Sequence, residues 1–152
     1  MNGKYFDDWI EGEEHITPTR TITETDVVMF AAMSGDYNEL HTSADVTRHN
    51  QFGQRIAHGL LGLSISHGLL FRTGYLDGTA IAFLNVDGWK FQAPIFFGDT
   101  IRVKFKVVEK KASRSKPDRG VITLYLEILT QDDRVVQSGF KKLMIKRGNL
   151  QN

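Results

Sequence analysis

The spacing of hydrophobic and polar residues divides the chain into a short helical part and a longer part made of strands. Residues His15 to Ile22 (HITPTRTI) are β-branched and loosely alternating, which predicts a strand. Pro18 favours an edge position because it cannot donate to a ladder. Thr23 follows, with Asp26 three positions on, a variant of the capping box. Val27, Met29, Phe30, Ala31 and Met33 then predict a short, mostly apolar helix. Gly35 is expected to end it, since glycine accepts the left-handed conformation found past many helix C-termini. Asp36 to Arg55 is polar and reads as a long loop with a helical turn at Ala44 to Arg48; loops of that length are usually functional or disordered. His58 to Phe71 (HGLLGLSISHGLLF) gives about four helical turns that are apolar over most of the circumference, so burial on nearly all sides is expected.

The remainder reads as β. Ala80 to Leu84, Gly88 to Ala93, Thr100 to Lys110, Val121 to Thr130 and Val135 to Ile145 alternate or are rich in β-branched residues. Gly98-Asp99, Ser113 to Gly120 and Asp132-Asp133 mark the turns. The first fifteen residues read as an irregular lead-in that packs through Tyr5, Phe6 and Trp9. One helix this apolar needs a large surface to cover it. The expected fold class is therefore α+β, a curved antiparallel β-sheet wrapped around a long buried central helix. Residues 1–152 are read as one domain with its core at about 15–147.

Composition narrows the function. With 41% hydrophobic and 24% charged residues a packed core is expected, and disorder is not. Nineteen Lys and Arg against 18 Asp and Glu leave a formal net charge of +1, which gives no reason to expect a nucleic-acid partner. The chain has no cysteine, so disulfides, thiolate nucleophiles and cysteine metal sites are excluded. Met1 to Ile10 lacks the basic start and apolar run of a signal peptide, and no stretch reaches the ~20 apolar residues that span a bilayer. A soluble, cytoplasmic protein with no membrane partner is expected. Lys104, Lys106, Lys110, Lys111, Arg114, Lys116, Arg119, Lys141, Lys142, Lys146 and Arg147 read as a solvated strand face.

Two segments place polar groups beside apolar structure. In Ser34 to His41 (SGDYNELH), a turn at Asp36 to Asn38 can fold His41 back towards Asp36. A carboxylate and an imidazole so placed can hold one water and share its protons. The plainer alternative is that Asp36 and Asn38 only make side-chain turns with the backbone. The second segment, Arg55 to Leu60 (RIAHGL), opens the apolar helix, where first-turn N–H groups lack helical partners and favour an oxyanion. Gly59 would let a substrate carbonyl approach the backbone, and an enolate-like oxygen would be stabilised there. Close packing by Gly59 and capping by His58 are the structural alternative. His67, mid-helix, fits a hydrogen-bonded core residue better than a catalyst, and His15 and His49 read as surface groups. No metal is expected, since no histidine pair has the helical i, i+4 spacing. There is no GxGxxG, GxxxxGK[ST] or GxSxG motif.

Three blocks, in order, resemble the MaoC-like dehydratase family, which includes the (R)-specific enoyl-CoA hydratases. They are Phe30 to His41 (FAAMSGDYNELH), Phe52 to Leu70 (FGQRIAHGLLGLSISHGLL) and Phe91 to Thr100 (FQAPIFFGDT), within a likeness running from about Thr17 to Ile145. The resemblance implies a hot-dog fold and a hydratase/dehydratase acting on an enoyl-CoA or (R)-3-hydroxyacyl-CoA thioester. No separate cofactor is implied, because CoA is part of the substrate. Asp36 and His41 would activate or release the water, Asn38 would hold the turn, and the Gly59 N–H would bind the thioester oxygen. His58, Ser64 and His67 are the expected substrate-binding neighbours, and the basic residues gain a second reading as contacts to the CoA phosphates. An apolar tunnel for the acyl chain and a homodimer or higher oligomer joined at sheet edges are also implied; pairing of exposed edges gives the dimer a physical reason.

The chain departs from the family pattern at Glu39, where a proline is usual, and at His67, where some (R)-hydratases carry a serine that Ser64 or Ser66 could replace. A thioesterase of the same fold and a non-catalytic acyl-binding module remain the alternatives.

Overall fold

A computed structural model describes residues 3–148. A single 3-10 turn, Phe6–Asp8, precedes β1 (Glu14–Ile16) and β2 (Arg20–Thr21). The one strand expected over His15 to Ile22 is thus two, and the break contains Pro18. Both pair antiparallel with the same later strand, β4 (Thr100–Ala112). Helix α1 (Glu24–Ser34) starts as expected: the Thr23 hydroxyl accepts from the Asp26 N–H and the Asp26 carboxylate accepts from the Thr23 N–H. It ends at Gly35, with φ at 77°.

The polar segment holds two helical turns. The expected one is α3 (Ala44–Arg48); α2 (Glu39–Thr42) was not anticipated. Helix α4 (Gly59–Phe71) follows, with His58 at its N-cap position. β3 (Ala80–Phe91), β4, β5 (Arg119–Leu129) and β6 (Val135–Lys146) make the body of the sheet, in the order β1-β4-β5-β6-β3, with β2 beside β4. The two segments expected at Ala80–Leu84 and Gly88–Ala93 are one strand, β3. Its register against β6 shifts three times, and such bulges bend a strand.

The inner face of the sheet and one side of α4 form the core. Leu61, Ile65, Leu69 and Leu70 of α4 pack with Val103, Phe105, Leu124, Leu126 and Leu143, all buried. Phe6 and Trp9 seal it from the lead-in. Burial of α4 on nearly all sides is corrected, because Leu60, Ser64 and Phe71 form an exposed stripe that no described residue covers. His15 is not a surface group either: its ring packs against Trp9, Tyr75 and Phe105. Lys141 departs from the solvated basic face. Strand alternation places it inside with Leu143 and Ile145, and it has no exposed surface.

Candidate active site

Local hydrogen bonds after α1 bring Asp36 and His41 together. The Asp36 carboxylate accepts from the Asn38 N–H at 3.2 Å, and the Asn38 side chain accepts from the Leu40 N–H at 3.0 Å, capping α2. The His41 N–H in turn donates to the Asn38 carbonyl at 2.9 Å. These are the Asx turns offered above as the plainer alternative. They also leave His41 Nε2 3.9 Å from Asp36 Oδ2. The carboxylate is half exposed while the imidazole side chain is about 10% exposed, so the pair sits at the rim of the core. Glu39 is exposed at the start of α2 and forms no ion pair among the described residues.

The other ring nitrogen fixes the tautomer. His41 Nδ1 is 2.7 Å from the Ile56 carbonyl oxygen, which can only accept, so Nδ1 carries the proton and neutral His41 turns an unprotonated Nε2 towards Asp36. The Ile56 segment is itself held: its N–H donates to the Leu40 carbonyl, and Ala57 N–H donates to the Ile95 carbonyl. His58 is buried. Its Nε2–H donates to the Asp36 carbonyl at 2.9 Å, and its Nδ1 has no partner among the described residues. It gives no side-chain cap to α4. Its ring stacks on His41 at 3.8 Å between centroids, with Phe30 at 4.9 Å.

Ligand atoms of Asp36, His41 and His58 lie within 4.8 Å of one another, a grouping that the chain spacing did not announce. Two histidines and a carboxylate can in principle hold a cation. Here the ring planes are stacked only 26° apart. Lone pairs lie in those planes and do not meet on one ion at the ~2.0–2.1 Å that metal–imidazole bonds require. The geometry does not fit a metal centre.

Gly59 is the first residue of α4, and its N–H has no acceptor among the described residues. A Cβ built there would stand 2.8 Å from the Phe91 ring, so that ring packs directly on the glycine. The Gly59 carbonyl accepts from the Gln137 side-chain amide at 3.0 Å, and Gln137 accepts from the Trp89 indole at 3.0 Å. Gly62 makes this possible, since a Cβ there would meet Gln137 at 2.5 Å. A cavity of about 450 Å³ opens beside this turn, lined by Phe52, Ile56, Gly59, Phe91, Ile95 and Gln137. Ser64 lies instead in a groove of about 370 Å³ between α1 and α4, beside Met29, Phe30 and Met33. His67 is half-buried two turns below Gly59, against Phe71, Phe83 and Lys141.

Asp36, Asn38, His41 and His58 therefore form one cluster, with Gly59 adjoining through His58; Ser64 and His67 lie further along α4. Ile56, Trp89, Phe91 and Gln137 were not foreseen. The role of Ile56 belongs to its backbone and leaves no mark in a sequence. Gln137 was detectable as a lone amide among the apolar residues of a strand.

The family described as "MaoC like domain" matches residues 9–127. Protein MaoC of Klebsiella aerogenes is 34% identical over 119 residues, covering 77% of this chain and 35% of that protein. An (R)-specific enoyl-CoA hydratase of Rhodospirillum rubrum is 35% identical over 97 residues, covering 64% of this chain and 65% of the enzyme. The chain thus matches less than two thirds of either relative's length. Among solved structures, an Archaeoglobus protein named a monoamine oxidase regulatory protein superposes with a TM-score of 0.87 at 33% identity, covering 97% of both chains. A Mycobacterium tuberculosis protein described as a double hot-dog fold superposes with a TM-score of 0.83 at 21% identity, covering 99% of this chain and 46% of that one.

Proposed function

The chain belongs to the MaoC-like domain family and has a hot-dog fold, and on that premise we propose that it adds water to, or removes it from, an acyl-CoA thioester. The observation that carries this reading is the His41 tautomer. A neutral imidazole whose Nδ1–H is tied to Ile56 presents a free base at Nε2, beside a carboxylate that can orient a water.

In the hydration direction, the thioester oxygen lies at the Gly59 N–H, where the first turn of α4 favours negative charge. His41 Nε2 takes a proton from the water held with Asp36, and the hydroxyl bonds to the β-carbon. The π electrons of the double bond move towards the carbonyl, giving an enolate-like oxygen at Gly59. The proton held by His41 then passes to the α-carbon, so the product contains the whole water. Dehydration runs the same steps backwards. His58 acts through position: it joins the Asp36 backbone to the start of α4 and supports the His41 ring.

The substrate is an enoyl-CoA or (R)-3-hydroxyacyl-CoA, and the apolar lining at Phe52, Phe91 and Ile95 suits the acyl or pantetheine segment next to the thioester. The working unit is a homodimer. β3 ends the sheet, and Ile81, Phe83, Leu84, Val86 and Phe91 along it are exposed, a pattern that edge-to-edge pairing would satisfy. The reading is tested by following the enoyl-thioester absorbance of crotonyl-CoA with a thiol reagent present. Hydration removes the absorbance without releasing thiol, whereas a thioesterase releases it.

A further inference from the structure

Lys141 is a buried cation without a counter-charge among the described residues. It projects from the inner face of β6 towards α4, has no exposed surface, and has no carboxylate within ion-pairing distance among the described residues. Its one hydrogen-bond acceptor among the described residues is His67 Nδ1, at 3.5 Å. The rings of Trp89 and Phe83 lie 5.3 and 5.9 Å from the ammonium and offer only their π faces. A lysine so placed is costly unless something supplies negative charge.

The same pair exposes a donor. An ammonium can only donate, so His67 Nδ1 accepts and the imidazole proton sits on Nε2. That ring packs between Phe71 and Phe83 and is half-buried, beside the uncovered stripe of α4 that holds Leu60 and Ser64. Burial, and then the Lys141 charge, push the His67 pKa down to about 4, so the imidazole stays neutral and keeps this donor at neutral pH. Gln137, which holds Gly59, stands on the same face of β6 four residues before Lys141. His67 lies eight residues beyond Gly59 on α4, or about 12 Å along the helix axis. The thioester site and the Lys141–His67 pair therefore lie on the same two elements, α4 and β6, with Leu60 and Ser64 between them on the exposed stripe of the helix.

We propose that Lys141 and His67 form a subsite for a carboxylate at the far end of the acyl chain, so that the enzyme favours ω-carboxylated acyl-CoA substrates over plain hydrocarbon ones. This rests on the acyl-CoA reading given above. The carboxylate accepts from His67 Nε2–H, and Lys141 lies behind the ring with its charge linked through Nδ1. One unpaired positive charge matches a monoanion, and the Phe71 and Phe83 rings suit the methylenes that precede it.

Calorimetric titration with saturated thioesters tests the subsite without relying on turnover, because they have no double bond to hydrate. Adipyl-, suberyl- and sebacyl-CoA are each compared with the unbranched monocarboxylic acyl-CoA of equal length. At one or more lengths the carboxylated ligand is expected to bind about tenfold tighter, as a hydrogen bond to a charged group allows. Lys141→Met, which removes a buried charge and should fold, and His67→Phe should each abolish that preference while still binding the hydrocarbon ligand. Equal affinities in the wild type, or a preference that survives Lys141→Met, would overturn the subsite alone. Failure of every acyl-CoA to bind would overturn the acyl-CoA reading with it.

Discussion

His41 Nδ1 and the Ile56 carbonyl oxygen are 2.7 Å apart, and this contact sets which nitrogen of the imidazole is free to act as a base. Ile56 is in turn bound to α2 through the Leu40 carbonyl, so base and support are held by one small network. His41→Asn places an amide near the Nδ1 position and retains a donor for Ile56, but it has no base. Turnover of an enoyl-CoA should fall ~10²-fold or more, the range for a lost general base, with the melting temperature nearly unchanged. Kinetics and thermal melts on the purified variant check both parts.

The Trp89–Gln137–Gly59 chain positions the first turn of α4. Gln137→Leu leaves the part-buried Trp89 indole N–H without its acceptor and frees the Gly59 carbonyl from the sheet. A loss of roughly 1–3 kcal/mol is expected in urea unfolding. The kcat should fall more than KM rises if the Gly59 N–H matters most in the transition state. Trp89→Phe should be milder, because the Gln137 contact to Gly59 remains.

Lys141 makes stability depend on pH. Burial lowers its pKa from 10.5 to about 8, so between those values the unfolded chain binds a proton that the folded protein does not. Stability therefore rises with pH in that window, by up to roughly 1.4 kcal/mol per unit, and the full cost is present below it. Denaturation at a series of pH values should show this rise in the wild type. In Lys141→Met it should be absent, and the variant should be the more stable at neutral pH.

The exposed edge of β3 makes the proposed dimer testable. Leu84→Lys puts a charge on β3, whose outer edge has no strand neighbour among the described residues and where Leu84 is 44% exposed in the single chain. Sedimentation should show a shift from dimer towards monomer with little change in the monomer's circular dichroism. A wild type that sediments as a monomer would remove the edge-pairing proposal.

Most of the frame was legible in local chemistry. Thr23 and Asp26 announced the start of α1, Gly35 its end, and the apolar run after His58 the central helix. What was hidden depended on partners distant in the chain. Pro18 does mark an edge segment, but that segment is two short strands on β4 and not one. The stripe of Leu60, Ser64 and Phe71 is exposed because no described residue packs over it, which an apolar count cannot reveal. Composition alone groups Lys141 with the surface cations because it ignores strand alternation; counting inward from Ile145 by twos places it inside. At the site, the Asp36–Asn38–His41 turn could be read from residue types. The tautomer of His41 could not, because it depends on the backbone of Ile56.

The central claim, water addition by Asp36 and His41, is tested most directly by the rate of enoyl-thioester absorbance loss for wild type and Asp36→Asn, with a thiol reagent present. Asparagine retains an oxygen to accept from the Asn38 N–H, so the turn should persist. The expected result is wild-type hydration without thiol release and a loss of ~10²-fold or more in the variant. Equal rates in the two proteins, or absorbance loss matched by released thiol, would contradict it.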